Sequence, residues 1–189
     1  NSLVVYAGNA DGDILRSEDG GASWRTLHRA DARINSFVMD PNGTQTLYVA
    51  TNGAGILKST DRGTTWQEIR AELDGYDGGR RPLMLVLDPT NPSVMYHVSR
   101  TGILRSENGG AAWRAIATPT PPEQTNIRAF AIHPRNPNLL VYATDTSVVF
   151  TDDLGETWTP KKLPTSRSAS FLLFDQQPQS TLYLGTIPR

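Results

Sequence analysis

Four short stretches of this 189-residue chain place an acidic or amide side chain among hydroxyls and glycines, just ahead of a tryptophan. They run from Ser17 to Trp24, Ser59 to Trp66, Ser106 to Trp113 and Thr151 to Trp158. Asp19, Asp61, Asn108 and Asp153 stand two residues in, and Gly21, Gly63, Gly110 and Gly155 two residues further on. A carboxylate beside a hydroxyl can serve acid–base catalysis or cation binding. Four equivalent copies argue against both readings, because a single active site does not need four. Turn architecture explains the recurrence better. Asp or Asn accepts hydrogen bonds from nearby backbone N–H groups in an Asx-type turn, and Asn108 does so without the charge. The Ser and Thr hydroxyls cross-brace that turn, although Ala112 has lost one of them. The glycines are free to take positive φ. Each tryptophan, and the chain has no others, supplies an apolar plate whose N–H needs one partner.

The elements that position these turns are legible around them. The tryptophans fall 42, 47 and 45 residues apart, a spacing that marks a repeat architecture. A tyrosine-bearing strand precedes each stretch, around Tyr6, Tyr48, Tyr96 and Tyr142, and a fifth around Tyr183 has no such stretch after it. A short strand then leads into the turn (Ile14–Arg16, Ile56–Lys58, Ile103–Arg105, Val148–Phe150), and another leaves it at the tryptophan. An apolar strand follows, beginning at Phe37, Leu85, Phe130 or Phe171 and stopping at Asp40, Asp88, His133 or Asp175. Short β-rich runs split by Gly, Pro, Asn and Asp predict strands and turns, and no window has the period of a surface helix. With the apolar strand called a, each period reads a, b, c, d. Four antiparallel strands every ~45 residues make one β-propeller blade, which neighbouring blades must cover. The expected fold is an all-β propeller of four-stranded antiparallel blades. Its repeats span approximately 1–33, 34–81, 82–127 and 128–168, with a partial one at 169–189, in one domain or propeller fragment over 1–189.

The repeated phrase, Ser/Thr-x-Asp-x-Gly-x-Thr-Trp, resembles the Asp-box or BNR repeat. That repeat occurs in sialidases, xyloglucanase-like glycoside hydrolases, sortilin-type receptors and photosystem II assembly-factor propellers. The resemblance covers essentially the whole chain and implies that the phrase sits on the turn between the third and fourth strands of a blade. It makes Ser17, Asp19, Gly21, Trp24 and their counterparts structural: Ser59, Asp61, Gly63, Trp66; Ser106, Asn108, Gly110, Trp113; Thr151, Asp153, Gly155, Trp158. Because the Asp-boxes occupy one end of each blade, the b–c and d–a loops at the other end are where ligands are expected.

Those loops vary between repeats while the strands do not, as expected of function-bearing segments. The most unusual runs from Ala71 to Arg81 and combines Tyr76, Asp77, Arg80 and Arg81 around a Gly-Gly pair. Tyrosine stacks on sugars or peptides and arginine binds carboxylates bidentately. These four residues, with Arg100 and Arg128 and the similarly placed Arg33, are the candidate ligand contacts. The competing reading is a solvated loop whose charges pair with each other. Thr118–Glu123 reads as a stiff proline-rich spacer.

Enzyme signals are poor, and no catalytic residue is assigned. The arginine triad and Arg-Ile-Pro-like motif of sialidases are not matched, since Thr186-Ile-Pro188-Arg189 has its arginine on the wrong side. Xyloglucanase-like relatives use two aspartates across a cleft, and nothing selects a pair among Asp11, Asp31, Asp77 and Asp145. His28, His97 and His133 occupy three different blade positions. Asn9-Ala-Asp11-Gly-Asp13 begins like a calcium loop but lacks the correctly placed glycine and closing glutamate. No metal and no cofactor are expected. Asn42-Gly-Thr44 is a formal glycosylation sequon.

Eighteen basic and nineteen acidic side chains leave a formal charge of −1, so no bulk field favours nucleic acid. No apolar run approaches the ~20 residues that span a bilayer. No cysteine is present, which removes disulfide and thiol chemistry. Asn1 reads as the start of a mature, trimmed or excised chain. Five b strands against four Asp-boxes suggest part of a larger ring, or a ring completed by another copy. The Phe171 strand is expected to supply an a strand beside the Leu3 b strand. The favoured function is a non-catalytic recognition scaffold for a protein or carbohydrate ligand, in an extracytoplasmic or secreted setting by family habit. The alternative is a fragment of a glycoside hydrolase, sialidase or xyloglucanase-like.

Overall fold

The computed structural model describes residues 3–41, 43, 45–121 and 124–188. Asn42 and Thr44 of the sequon, Pro122 and Glu123 of the proline-rich spacer, and Asn1, Ser2 and Arg189 lie outside the described residues. The chain divides into two compact units, 1–85 and 86–189. In the first, β1 (Val5–Gly8), β2 (Asp13–Ser17) and β3 (Arg25–Arg29) form a three-stranded antiparallel sheet. Next comes a four-stranded sheet of β4 (Ile34–Met39), β5 (Leu47–Thr51), β6 (Gly55–Ser59) and β7 (Gln67–Ile69). A 3-10 turn over Ala71–Leu73 precedes β8 (Met84–Leu87), inside which the unit boundary falls. β8 opens the sheet completed by β9 (Met95–Val98), β10 (Ile103–Ser106) and β11 (Arg114–Ile116). The next sheet holds β12 (Ala129–Ile132), β13 (Leu140–Ala143), β14 (Ser147–Thr151) and β15 (Thr159–Lys162), and the last pairs β16 (Ser168–Phe174) with β17 (Leu182–Ile187).

The strand order a-b-c-d within each sheet follows the sequence repeat, and burial explains the residue types. The b strands β5, β9 and β13 are buried on both faces, which is why they read as largely apolar runs, interrupted only by His97 and Thr51. Strand β15, Thr-Pro-Lys-Lys, is exposed throughout and lies at the sheet edge, where proline and lysine discourage further pairing. In the first unit Ile14, Ala30, Val49 and Leu57 form a core that Leu27, Ile34, Phe37 and Trp66 cover. In the second, Ala129, Ala131, Val141, Ala143 and Val148 pack with Leu172 and Phe174 of the last sheet.

One expectation is corrected. The Phe171 strand does not complete the first sheet: β16 pairs with β17 over six residue pairs, and β1–β3 stays three-stranded among the described residues. A contiguous hairpin closes a shorter loop than a pairing across the whole chain. The tyrosine strands are also not all equivalent. Tyr6, Tyr48 and Tyr96 each lie one residue after the partner of an Asp-box Ser (Ser17, Ser59, Ser106), whereas in β13 that position is Val141. Tyr142 therefore points to the opposite face, where its ring meets Trp158 edge-on at 5.1 Å.

The Asp-box turns connect c to d in every blade that carries one. Ser17 donates from Oγ to Asp19 Oδ1 (2.7 Å), Gly21 N–H donates to Ser17 Oγ (2.8 Å), and Ser23 donates to both carboxylate oxygens. Asp61 and Asp153 repeat this set. Hydroxyl donation from Thr65 and Thr151, first in each case, holds the Asp61 and Asp153 carboxyls at about 2, and Ser23 lowers Asp19 in the same way. Asn108 keeps the contacts with Ser106 and Ala112 N–H. The residue after each Asp or Asn has positive φ; it is glycine at positions 20 and 109 but Arg62 (φ 62°) and Leu154 (φ 59°) in the other two. Arg62 is exposed. A left-handed residue with a Cβ costs about 1–2 kcal/mol, partly offset by the extra chain entropy of glycine. Arg62→Gly is therefore expected to raise stability by about 0.5–1 kcal/mol and the melting temperature by about 1–3 °C, read by thermal denaturation.

Candidate functional site

Antiparallel order puts the a–b and c–d turns at one end of each sheet and the b–c and d–a loops at the other. The Asp-box end is fastened by a repeated backbone bond. The N–H groups of Gly20, Arg62, Gly109 and Leu154 donate to the carbonyls of Leu3, Gln45, Ser93 and Asn138, which precede the b strands, at 2.8–3.2 Å. At the opposite end successive loops are tied to one another: Ile34 N–H donates to Asn9 O (3.3 Å) and Ile127 N–H to Arg100 O (2.9 Å).

In the first unit the 70–81 loop is folded rather than hinged. Leu73 is fully buried. Its carbonyl accepts the Tyr76 N–H (3.1 Å), and Gly79 N–H donates to Tyr76 O (3.0 Å). A Cβ on Gly79 would lie 2.1 Å from Leu73 O, so only glycine fits this coil. The guanidinium of Arg80 donates from Nε and Nη2 to the two oxygens of Asp74, at 2.5 Å each. That pairing lowers the Asp74 pKa and raises that of Arg80. The Arg80 carbonyl accepts from Gly53 N–H at 2.7 Å, which joins the loop to the b–c turn of its own blade. Tyr76 is half-buried, while Asp77 and Arg81 are exposed. Arg80 is thus engaged within the loop, by a partner, Asp74, that sequence reasoning did not single out.

In the second unit the structure gathers residues distant in sequence. Arg100 Nη1 donates to Asn126 Oδ1 (3.3 Å), and Asn126 Nδ2 donates to Asp145 Oδ2 (2.7 Å). Arg128 grips the same carboxylate with Nε and Nη2, at 3.0 and 3.3 Å. Donation from Ser168, then Arg128 and Asn126, holds the Asp145 pKa below its ordinary value. The carboxylate therefore takes one guanidinium directly, the half-buried Arg128, and is linked to the exposed Arg100 through the Asn126 amide. The relay through Asn126 was not legible, because Asn126 and Asp145 sit on two different loops and Ser168 opens β16.

The other candidates resolve into scaffolding. Asn9 Oδ1 accepts from the N–H groups of Asp11 (3.0 Å) and Asp13 (2.8 Å), and Arg29 Nε donates to Asp13 Oδ1 (2.6 Å), which closes the calcium-like loop on itself. His133 Nδ1 accepts from the N–H groups of Arg135 and Asn136, as a turn residue does. His28 and His97 lie against Trp66 and Trp113, each at 6.1 Å. Asp31 and Arg33 are exposed. Among the described residues no group of three or more His, Cys, Asp or Glu is arranged to hold a metal ion. No helix among them is long and apolar enough to cross a membrane, which says nothing of β-barrels.

Four-stranded antiparallel blades, closed between c and d by Ser/Thr-x-Asp/Asn-x-Gly-x-x-Trp turns, define the class: the chain is an Asp-box β-propeller. Comparison with known proteins agrees. Residues 12–102 match the Sortilin-Vps10 family, described as Sortilin, neurotensin receptor 3. A xyloglucanase of Paenibacillus sp is 35% identical over 88 residues, which is 42% of this chain and 8% of that protein. Among solved structures, an ancestral GH74 enzyme superposes with a TM-score of 0.80 at 21% identity, over 99% of this chain and 28% of its own. YCF48 bound to D1 peptide superposes with a TM-score of 0.69 at 18% identity, over 97% of this chain and 57% of that one. The chain thus spans a small part of the xyloglucanase and somewhat over half of YCF48.

Proposed function

We propose that this chain is a recognition propeller whose b–c and d–a loops bind a protein partner through a carboxylate-bearing segment. One observation, made in each unit by itself, carries the reading: the loop end presents arginines on an ordered frame, Arg128 on Asp145 and Arg100 through Asn126 in the second unit, and Arg80 on Asp74 with the exposed Arg81 next in the chain in the first. A fixed guanidinium meets a carboxylate with less ordering entropy than a free one, and Tyr76 adds a face for stacking. The YCF48 relative, solved with a peptide bound, supports a peptide ligand in this fold. An extracytoplasmic setting is part of the same proposal. The second reading is part of a glycoside hydrolase, favoured by the 35% identity to a xyloglucanase.

Fluorescein-labelled acidic and neutral peptides of about a dozen residues, titrated against the protein, separate these readings. Acidic peptides are expected to bind, and Arg81→Ala with Arg100→Ala to weaken them at least ~10-fold, about 1.4 kcal/mol, with an unchanged melting temperature. Binding indifferent to both arginines, or reducing sugar released from xyloglucan, overturns the recognition reading.

A further inference from the structure

The turn from an a strand to its b strand recurs as regularly as the Asp-box, and one copy carries a different acceptor. Its first residue donates its N–H to the carbonyl just ahead of the b strand: Asp40 to Thr46, Asp88 to Val94, His133 to Leu139 and Asp175 to Thr181, at 2.9–3.1 Å. The side chain then accepts amides of the turn. Asp88 Oδ1 takes the N–H groups of Thr90 (2.7 Å) and Asn91 (3.2 Å), and Asp175 Oδ1 those of Gln177 (3.2 Å) and Thr181 (3.0 Å). In the turn after β12 the acceptor is a ring nitrogen: His133 Nδ1 takes the N–H groups of Arg135 (3.2 Å) and Asn136 (3.0 Å). The rest of this turn is unchanged. Leu139 and Asn138 donate their N–H groups to Asn136, as Val94 and Ser93 do to Asn91.

The two kinds of acceptor fail at different pH. An ordinary carboxylate stays ionised down to about pH 4, whereas an imidazole gains its proton between about pH 8 and 5 and then has two donors and no acceptor. Two amide donors fix His133 as the Nε2–H tautomer, so a proton added at Nδ1 removes both bonds and sets N–H against N–H. The ring is only half-buried, within reach of water.

The charged groups on the elements around the ring are engaged elsewhere. Arg135, in the same turn, donates its guanidinium to Gln176 O (3.4 Å) and Ser180 Oγ (3.3 Å) in the β16–β17 turn. Phe174 of β16 meets the ring edge-on at 5.1 Å, and the adjoining Asp175 is bound into its own turn. At the end of β8, across a cleft lined by Pro89 and Pro134, Asp88 is buried and likewise bound. The Asp-box turn of the same blade, joined here by Leu154 N–H on Asn138 O, engages Asp153 with Thr151 and Thr157 and leaves Asp152 exposed. His133 and Arg135 thus fasten one a–b turn onto the next hairpin, the first through Phe174 and the second through Gln176 and Ser180.

We propose that His133 makes this turn an acid-sensitive clasp. It is closed at neutral pH and opens as the imidazole takes up its proton, and the Arg135 contacts with the β16–β17 turn go with it. The Asp88 turn, closed by a carboxylate, holds through the same range.

Amide exchange read by NMR on the whole chain tests this at about pH 7.5 and about pH 5.5, each rate divided by the intrinsic rate at that pH. At the lower pH, protection of the Arg135 and Asn136 amides is expected to fall at least ~10-fold, as the loss of two hydrogen bonds implies. The Gln177 and Thr181 amides of the released turn fall with them, by at least ~2-fold, while Thr90 and Asn91 keep their protection. His133→Asp restores the acceptor of the other turns, and His133→Asn accepts without a charge, as Asn108 does from Ala112 N–H. Circular dichroism checks that they fold, and either is expected to remove the fall while His28 and His97 remain. Wild-type protection unchanged at the lower pH overturns the proposal. So does an equal fall at Thr90 and Asn91, or the same fall in a folded variant. Protection lost at Arg135 and Asn136 but kept at Gln177 and Thr181 overturns the clasp.

Discussion

Gly155→Ala is expected to lower the free energy of unfolding by about 2–5 kcal/mol, measured by urea denaturation with the slope unchanged. Two independent effects add. Gly155 has φ of +91°, a conformation that side chains with a Cβ resist by about 1–2 kcal/mol. A Cβ there would also lie 2.3 Å from Ile116 Cγ2 and 3.1 Å from the Trp158 ring, so the blade-to-blade contact must open, at about 1–3 kcal/mol. Gly20→Ala separates the two. Gly20 has φ of +75°, but its Cβ would meet only Leu3 Cδ2, at 3.6 Å. It should lose only the backbone part, about 1–2 kcal/mol. Equal losses at the two positions would mean that packing between blades does not depend on the Asp-box glycine.

Leu73→Ala is the second large effect, and it reaches the candidate binding surface. Leu73 is fully buried, and truncating such a leucine costs about 2–5 kcal/mol, set by how far the site collapses. The loss is expected to be local. The coil from Arg70 to Arg81 is hung on this side chain, so hydrogen exchange should accelerate at the Tyr76 and Gly79 amides, which donate to Leu73 O and Tyr76 O. Peptide affinity should fall in parallel, because Arg80 loses the coil that holds it on Asp74 and Arg81 follows it in the chain. Asp77→Ala is the control: the residue is exposed, and its stability change should stay within about 0.5 kcal/mol. Undiminished peptide binding on a loosened loop would remove the loop from the proposed surface.

Legibility differed between scaffold and site for a physical reason. The Asp-box bonds, Ser17 to Asp19 and Gly21 to Ser17, join residues two to four apart, so the residue types alone specify them. The strands announce themselves by period and by apolar runs between turns. The loop network does not. Arg128 and Asp145 are 17 residues apart and Arg100 and Asn126 are 26 apart, and no local pattern predicts that a carboxylate will take one guanidinium and hold a second through an amide. Arg80 was singled out for its neighbours, but its pairing with Asp74 depends on the coil that Leu73 and Gly79 allow.

The sequence by itself determined the blade: its four strands, its turn chemistry and the end of the sheet at which the turns lie, because each follows from contacts within a few residues or from one repeated period. Only the tertiary structure decided which strand completes which sheet, and which face Tyr142 presents. A one-residue change of register sends a β side chain to the other face, and the strand pattern alone leaves open which sheet an end strand joins. Long-range contacts decided that Arg128 and Arg100 are held rather than free, while the Phe171 strand joins the Leu182 strand through the shorter loop of a contiguous hairpin.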